Sequence, residues 1–180
     1  PRTTAPLLDD VTILWLKNTR HGRYEVRAAG NSVRLYTNGV FHSQFNPRRP
    51  VVGSLWELLM LPAFFHKPGV VRRVLVLGVG GGAVIRLLNR FVNPESIVGV
   101  ELDAVHIRIA RRFIGIGKGQ AELVRGEAGD WLRAYRGPPF DLIIDDLFGE
   151  RDGEPARAVT ADEPWFQQLL PHLSAKGVLV

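Results

Sequence analysis

Residues 74–83, VLVLGVGGGA, constrain this chain more than any other stretch: an apolar β-run gives way to Gly78, Gly80, Gly81 and Gly82 just where a helix must begin. Glycine allows positive φ and lets a ligand approach the backbone without meeting a Cβ, and the helix that follows, Ala83 to Phe91, presents free N–H groups at its positive end. A second apolar run, Ser96 to Val100, ends at Glu101, about 20 residues beyond the loop, where a strand-end acid can accept hydrogen bonds from both ribose hydroxyls. Together these features point to an adenosine-bearing ligand. Gly78, Gly80 and Ala83 also fit the G-x-G-x-x-G/A spacing of nicotinamide enzymes, and a glycine-rich turn can be plain packing. The rest of the chain has to choose between them.

From Arg72 onward strands and helices alternate. Strands are expected at Val74–Leu77, Ile97–Val100, Ala121–Val124 and Leu142–Ile144, with helices at Ala83–Phe91, Ala104–Phe113 and Ala128–Tyr135. Such alternation predicts a parallel, Rossmann-like α/β sheet with helices on both faces and ligands at the carboxyl ends of the strands. Before it, Val11–Leu16, Tyr24–Arg27, Val33–Thr37 and Val40–Gln44 read as short antiparallel strands, with Asn38-Gly39 as the strongest hairpin signal. The domain organisation read here is therefore a β-hairpin domain over 1–50 and a nucleotide-binding domain over 51–180. Asn46-Pro47-Arg48-Arg49-Pro50 is a stiff basic connector, and Ser54 is the expected cap of a helix from Leu55 to Phe65. Trp165–Leu173 has helical spacing, and Lys176–Val180 starts a further strand. An apolar edge there predicts either that the domain lacks its last strands or that a homodimer partner covers it.

Composition excludes more than it selects. With 46% hydrophobic and 23% charged residues the chain is ordinary for a globular domain, no apolar run reaches the ~18 to 20 residues of a membrane span, and PRTTAPLLDD lacks the layout of a signal peptide. A cytoplasmic location with no membrane partner is expected. The absence of cysteine removes disulfides, thiolate metal sites and cysteine nucleophiles. His21, His42, His66, His106 and His172 lack metal-ligand spacing and are expected as surface or capping residues, so no metal is expected. A net charge of +5 favours anionic partners in general. Arg108, Arg111 and Arg112 share one helix face, read as a solvated face rather than a phosphate stripe. With no aromatic side chains between them, nucleic acid is not the expected partner.

Acids follow the strand ends in order: Glu101 and Asp103, then Glu127, then Asp145 and Asp146. In a parallel sheet all face one crevice. Glu101 is placed to hold ribose, Glu127 to accept from an adenine amino group, and Asp146 to sit beside a transferred group. Asp103 is expected as the N-cap of the helix at Ala104. Asp145 has a structural alternative, burial against helix N-termini, and sequence leaves the order of the two aspartates open.

The segments VLVLGVGGGAVIR, VGVELD, VRGEAGDWL and FDLIIDD resemble the successive motifs of the spermidine synthase (polyamine aminopropyltransferase) family, which shares the sheet of S-adenosylmethionine-dependent methyltransferases. The N-terminal hairpins, the helix with Trp56-Glu57, and Pro155-Ala156 followed by Trp165-Phe166 are similar to that family's N-terminal domain, gate loop and next helix. The resemblance covers most of Tyr24 to Val180. It implies transfer of an aminopropyl group from decarboxylated S-adenosylmethionine, used as co-substrate, to a small-molecule amine, and it implies dimers. Carried over by motif, Gly78 and Gly80, with Gly81 and Gly82, line the cofactor, Glu101 binds ribose, Glu127 binds adenine, and Asp146, with Asp145 beside it, serves catalysis.

Departures from the family pattern shape the expected acceptor. The acid of the family's glycine loop falls at Gly81, the second acid of its D-x-x-D motif falls at Gly149, and Arg48 and Arg49 stand in a segment that is acidic in the family. An acceptor other than a simple diamine follows, because a buried ammonium without counter-charge is disfavoured. A neutral Gly81 also suits the carboxylate of intact S-adenosylmethionine, so methyl transfer stands beside aminopropyl transfer. A non-catalytic nucleoside-binding relative is a second class. A nicotinamide-dependent (NAD) oxidoreductase is a third; it would explain Gly78 to Glu101 but neither Glu127 nor the Asp145-Asp146 pair.

Overall fold

The computed structural model describes residues 11–180, so PRTTAPLLDD, the first ten positions of the expected hairpin domain, lies outside the described residues. Strands β1 (Val11–Thr19), β2 (Gly22–Ala29), β3 (Ser32–Thr37) and β4 (Val40–Phe45) form an antiparallel meander in sequence order. Asn38 and Gly39, at φ 51° and 84°, supply the two positive φ angles that the tight turn between β3 and β4 requires.

Helix α1 (Leu55–Met60) follows, and the single helix expected through Phe65 tightens to a 3-10 segment at Leu61–Phe65, because Pro62 has no N–H to continue an α-helical ladder. Ser54 precedes this helix but its hydroxyl does not bond the backbone. Glu57 does the capping instead. Its carboxylate reaches back to the N–H groups of Val52 (2.8 Å) and Gly53 (2.9 Å), while the Ser54 hydroxyl donates to it at 3.0 Å.

The chain then runs β5 (Arg73–Leu77), α2 (Ala83–Phe91), β6 (Ser96–Glu101), α3 (Ala104–Ile109), β7 (Glu122–Arg125), α4 (Ala128–Ala134), β8 (Phe140–Asp145), a hairpin of β9 (Phe148–Arg151) and β10 (Glu154–Arg157), α5 (Glu163–Leu169) and β11 (Leu173–Leu179). The helix expected over Ala104–Phe113 widens after Ile109 into a π-turn, Ala110–Ile114, and stops at Gly115, whose φ of 78° is left-handed. The β9–β10 hairpin lies outside the strands expected from the sequence. Its signal was present: Asp152 and Gly153 form the turn at φ 56° and 82°, and Asp-Gly is among the strongest hairpin dipeptides.

Five parallel strands lie in the order β11-β8-β5-β6-β7. Alternation along β5 explains why both faces are covered. Val74 and Val76 pack with Trp56, Met60, Val84, Leu88 and Ile144 on one face, whereas Leu75 and Leu77 pack with Leu132, Ile143, Trp165 and Leu169 on the other. The N-terminal sheet docks on α3: Tyr24, Val26 and Leu35 bury against Ile109, with Val105 and Phe113 at the margin. β11 does lie at the sheet edge, as expected, with Val178 and Val180 packed on the core. Among the described residues no helix is long and apolar enough to cross a membrane.

Candidate active site

The strand order reverses at β5, which sends the chain outward to β6 and β7 and later back to β8 on its other side. The carboxyl ends of β5, β6 and β8 therefore open on one crevice. Backbone bonds draw these ends together: Gly78 donates to the Val100 carbonyl at 2.9 Å and Asp146 to the Leu77 carbonyl at 2.9 Å. Gly78, Gly80 and Gly82 all have positive φ. A Cβ at Gly78 would stand 2.1 Å from the Asp146 carbonyl oxygen, and one at Gly82 would stand 2.8 Å from Ile116. Gly81 is fixed differently: its Cβ would meet the Ser43 Cβ at 2.7 Å, so β4 presses on the loop. Gly78→Ala is expected to cost about 3 kcal/mol or more, since it combines left-handed strain with a backbone collision. A denaturation midpoint within error of the unaltered protein would refute this geometry.

Glu101 is buried at the end of β6, and its carboxylate turns toward the glycine loop. Oε2 accepts from the N–H groups of Val79 (3.0 Å) and Gly80 (2.9 Å), and Oε1 accepts from Asp103 N–H at 2.8 Å. Burial alone would raise its pKa, but the His106 imidazole 3.8 Å away and these backbone donors hold it below the ordinary value. Oε1 has that single donor and so keeps a lone pair. Leu102 beside it is 66% exposed, an apolar surface at the mouth of the site.

The N-terminal sheet clamps this region. Asp103 caps α3 as expected, accepting from Val105 N–H at 2.7 Å, and its second oxygen accepts from the Tyr24 hydroxyl at 2.5 Å. Burial and the neighbouring Asp103 raise the Tyr24 pKa to about 12, so the phenol stays a donor. Two histidines correct the expectation of surface or capping roles. His106 is buried on α3 and pairs through Nε2 with the Thr37 hydroxyl at 2.9 Å, and His42 on β4 lies 5.3 Å from it, ring to ring. Burial and the His106 ring lower the His42 pKa to about 4, which keeps it neutral, and its buried Nε2 has no hydrogen-bond partner among the described residues. Spacing along the chain could not find this pair, because β4 and α3 meet only through the docking of the two sheets. Among the described residues no group of three or more His, Cys, Asp or Glu is arranged to hold a metal ion.

The two aspartates at the end of β8 separate cleanly. Asp145 is buried and its Oδ2 accepts from Arg157 Nη2 at 2.7 Å and Trp165 Nε1 at 2.8 Å, so side chains of β10 and α5, not helix N-termini, hold it. Asp146 has no such partner. Desolvation and the adjacent Asp145 charge push its pKa up to about 7, against a smaller opposing pull from Arg157. Glu127 is exposed and caps α4, accepting from Asp130 N–H at 2.7 Å with one oxygen, which leaves the other toward solvent. Gly149 lies on β9 with open space where a Cβ would stand. Arg48 and Arg49 are exposed, and their N–H groups bond to the Asn46 side chain.

A glycine loop and two strand-end acids gathered where the strand order reverses place the fold in the Rossmann-like class of methyltransferase type. Consistent with this, a solved human methyltransferase-like protein 13 in complex with SAH is similar over 69% of this chain and 62% of its own, at 18% identity and a TM-score of 0.59. The Spermine/spermidine synthase domain profile matches residues 57–180, and the chain belongs to that family. The polyamine aminopropyltransferase 2 of Caldanaerobacter subterraneus subsp. tengcongensis is 31% identical over 127 residues, covering 69% of this chain. The chain spans 42% of that relative's length. A probable spermidine synthase structure from Corynebacterium glutamicum covers 93% of this chain and 63% of its own, at 18% identity and a TM-score of 0.73.

Proposed function

We propose that the crevice binds an adenosyl sulfonium co-substrate, decarboxylated S-adenosylmethionine, and that the protein transfers its aminopropyl group to a small nucleophile other than a simple diamine. The observation that carries this reading is Asp146: a carboxyl with proton affinity near neutral pH, at the end of β8, whose own backbone carbonyl abuts Gly78 of the glycine loop. The residues fit the ligand. Three positive-φ glycines give backbone without side chains, Glu101 Oε1 keeps an acceptor for a ribose hydroxyl, exposed Leu102 offers a surface for a planar base, and Glu127 retains an outward oxygen for the adenine amino group.

In the step proposed, the acceptor's lone pair attacks the carbon bonded to sulfur. The carbon–sulfur electrons pass to the sulfonium, leaving a neutral thioether, methylthioadenosine, and Asp146 takes the acceptor's proton. Asp145 stays bound to Arg157 and Trp165 and acts on Asp146 only through its charge. The likeness to aminopropyltransferases supports this chemistry. A second reading, methyl transfer from intact S-adenosylmethionine, is favoured by the same neutral Gly81. Thermal shift with decarboxylated and intact S-adenosylmethionine, methylthioadenosine and NAD separates these readings, since a ligand at 100 times its dissociation constant stabilises by roughly 2.7 kcal/mol. Stabilisation by NAD alone would overturn both.

The acceptor reading has a structural test. Gly149 can take a side chain, but an acid at Gly81 fits only if Ser43 is cut back, so the informative variant is Gly149→Asp, Gly81→Asp, Ser43→Gly. Two added counter-charges near a diammonium are expected to raise spermidine formation from putrescine about tenfold or more, at about 1.5 to 3 kcal/mol for each charged contact. Efficient spermidine formation by the unaltered protein, with no gain in the variant, would restore the ordinary diamine.

A further inference from the structure

Between α3 with its π-turn and the edge strand β7 lies a cleft of about 520 Å³. Arg108, Arg111 and Arg112 project into it at i, i+3 and i+4, Arg125 faces them from the end of β7, and Ala104, Ile107 and Leu123 complete its lining. Arg23, Arg27, Arg72, Arg133 and Arg157 are each paired with a carboxylate, unlike the arginines of this cleft. None of the four cleft guanidiniums has a hydrogen-bond or ion-pair partner among the described residues, and no acid lines the cleft. Four like charges gathered from two elements repel one another, and because all four side chains are exposed, solvent and salt screen that repulsion without pairing it. A smaller hollow of about 270 Å³ adjoins it, sharing Arg111 and Leu123 and adding Lys118, with Glu122 as an acid in its lining.

We propose that this cleft is a binding site for a short polyphosphate chain, free or carried by a nucleotide. Guanidinium groups present paired N–H donors that match phosphate oxygens two at a time, and three or four of them around one cleft fit consecutive phosphates rather than a single one. The cleft opens to solvent and its lining carries no aromatic side chain on which bases would stack, so it suits a small anion better than a nucleic-acid strand. With a net charge of +5, a second copy of the chain is electrostatically mismatched.

Titration calorimetry on the full chain tests this with inorganic tripolyphosphate, guanosine triphosphate, orthophosphate and a single-stranded oligonucleotide of roughly 20 nucleotides. Guanosine triphosphate keeps the adenosyl crevice out of the comparison. The expected result is one tripolyphosphate per chain, bound about tenfold or more tighter than orthophosphate and weakening steeply with salt. Arg108→Gln and Arg125→Gln should each weaken it about tenfold, with melting temperatures unchanged or raised because a repulsion is relieved, whereas Arg49→Gln should have no effect. Guanosine triphosphate tighter than tripolyphosphate identifies a nucleotide as the source of the phosphates, and the reverse order identifies free polyphosphate. No binding, binding indifferent to Arg108 and Arg125, or binding of the oligonucleotide alone overturns the proposal. The outcome does not depend on whether methylthioadenosine binds, so this site and the adenosyl reading stand or fall separately.

Discussion

Asp146→Asn is expected to lower turnover by about 100-fold or more, the scale of a general base, while methylthioadenosine affinity stays within about twofold. Activity of the unaltered protein should climb as pH rises through about 7, where desolvation and the Asp145 charge have moved the Asp146 pKa, and the residual activity of the variant should lose that step. Stability moves the opposite way. Because the folded pKa is raised, Asp146 favours the folded state fully at pH below the ordinary aspartate value, and this advantage is lost as pH rises through about 7. Above that pH the buried charge costs at most on the order of 4 kcal/mol, so the Asn variant should unfold at higher denaturant concentration than the unaltered protein at pH 8. Asp145→Asn gives a different pattern: it breaks the contacts with Arg157 and Trp165, lowers stability, and shifts the activity step to lower pH by removing the neighbouring charge. If Asp145→Asn abolishes turnover with no shift of the profile and Asp146→Asn is silent, the roles of the pair are reversed.

What made the parallel sheet legible was local: β5, α2 and α4 depend on runs of apolar residues, glycine and alanine whose period is set within one element. The glycine loop was legible for the same reason, since a positive φ needs glycine wherever the rest of the chain lies. Pairings across the two sheets were not. Tyr24 with Asp103, Thr37 with His106 and Ser43 against Gly81 are each contacts between residues far apart in sequence, made only when β2, β3 and β4 dock on α3 and the loop. The same docking explains why His42 and His106 looked like isolated surface residues. The order within Asp145-Asp146 was hidden because neighbours in a strand point to opposite sides, and which side meets Arg157 depends on the β9–β10 hairpin. That hairpin has one local signal, Asp152-Gly153, because its strands FGER and EPAR are short, mostly exposed and interrupted by Pro155, without the apolar alternation that marks a strand.

Glu101→Gln is expected to lose both ligand affinity and stability, and the two losses have separable causes. Three backbone N–H groups, from Val79, Gly80 and Asp103, aim at the two carboxylate oxygens. An amide replaces one of those acceptors with an NH₂ group, so at least one donor, Asp103 N–H at 2.8 Å, faces another donor in a buried site, at a cost of roughly 1 to 3 kcal/mol. Because the folded pKa of Glu101 is depressed, its contribution to stability is present above the ordinary glutamate value and is lost as pH falls through the lower, folded value. The difference in stability between the two proteins should therefore be full at pH 7 and shrink in acid. For the ligand, losing the charged acceptor of a ribose hydroxyl should weaken methylthioadenosine by about 1.5 to 3 kcal/mol, roughly 10- to 150-fold. Glu101→Asp separates the effects, since it keeps the charge but withdraws it from the loop. Calorimetry on a folded Glu101→Gln protein with unchanged affinity would show that the carboxylate serves the glycine loop alone, and the ribose would have to be held elsewhere in the crevice.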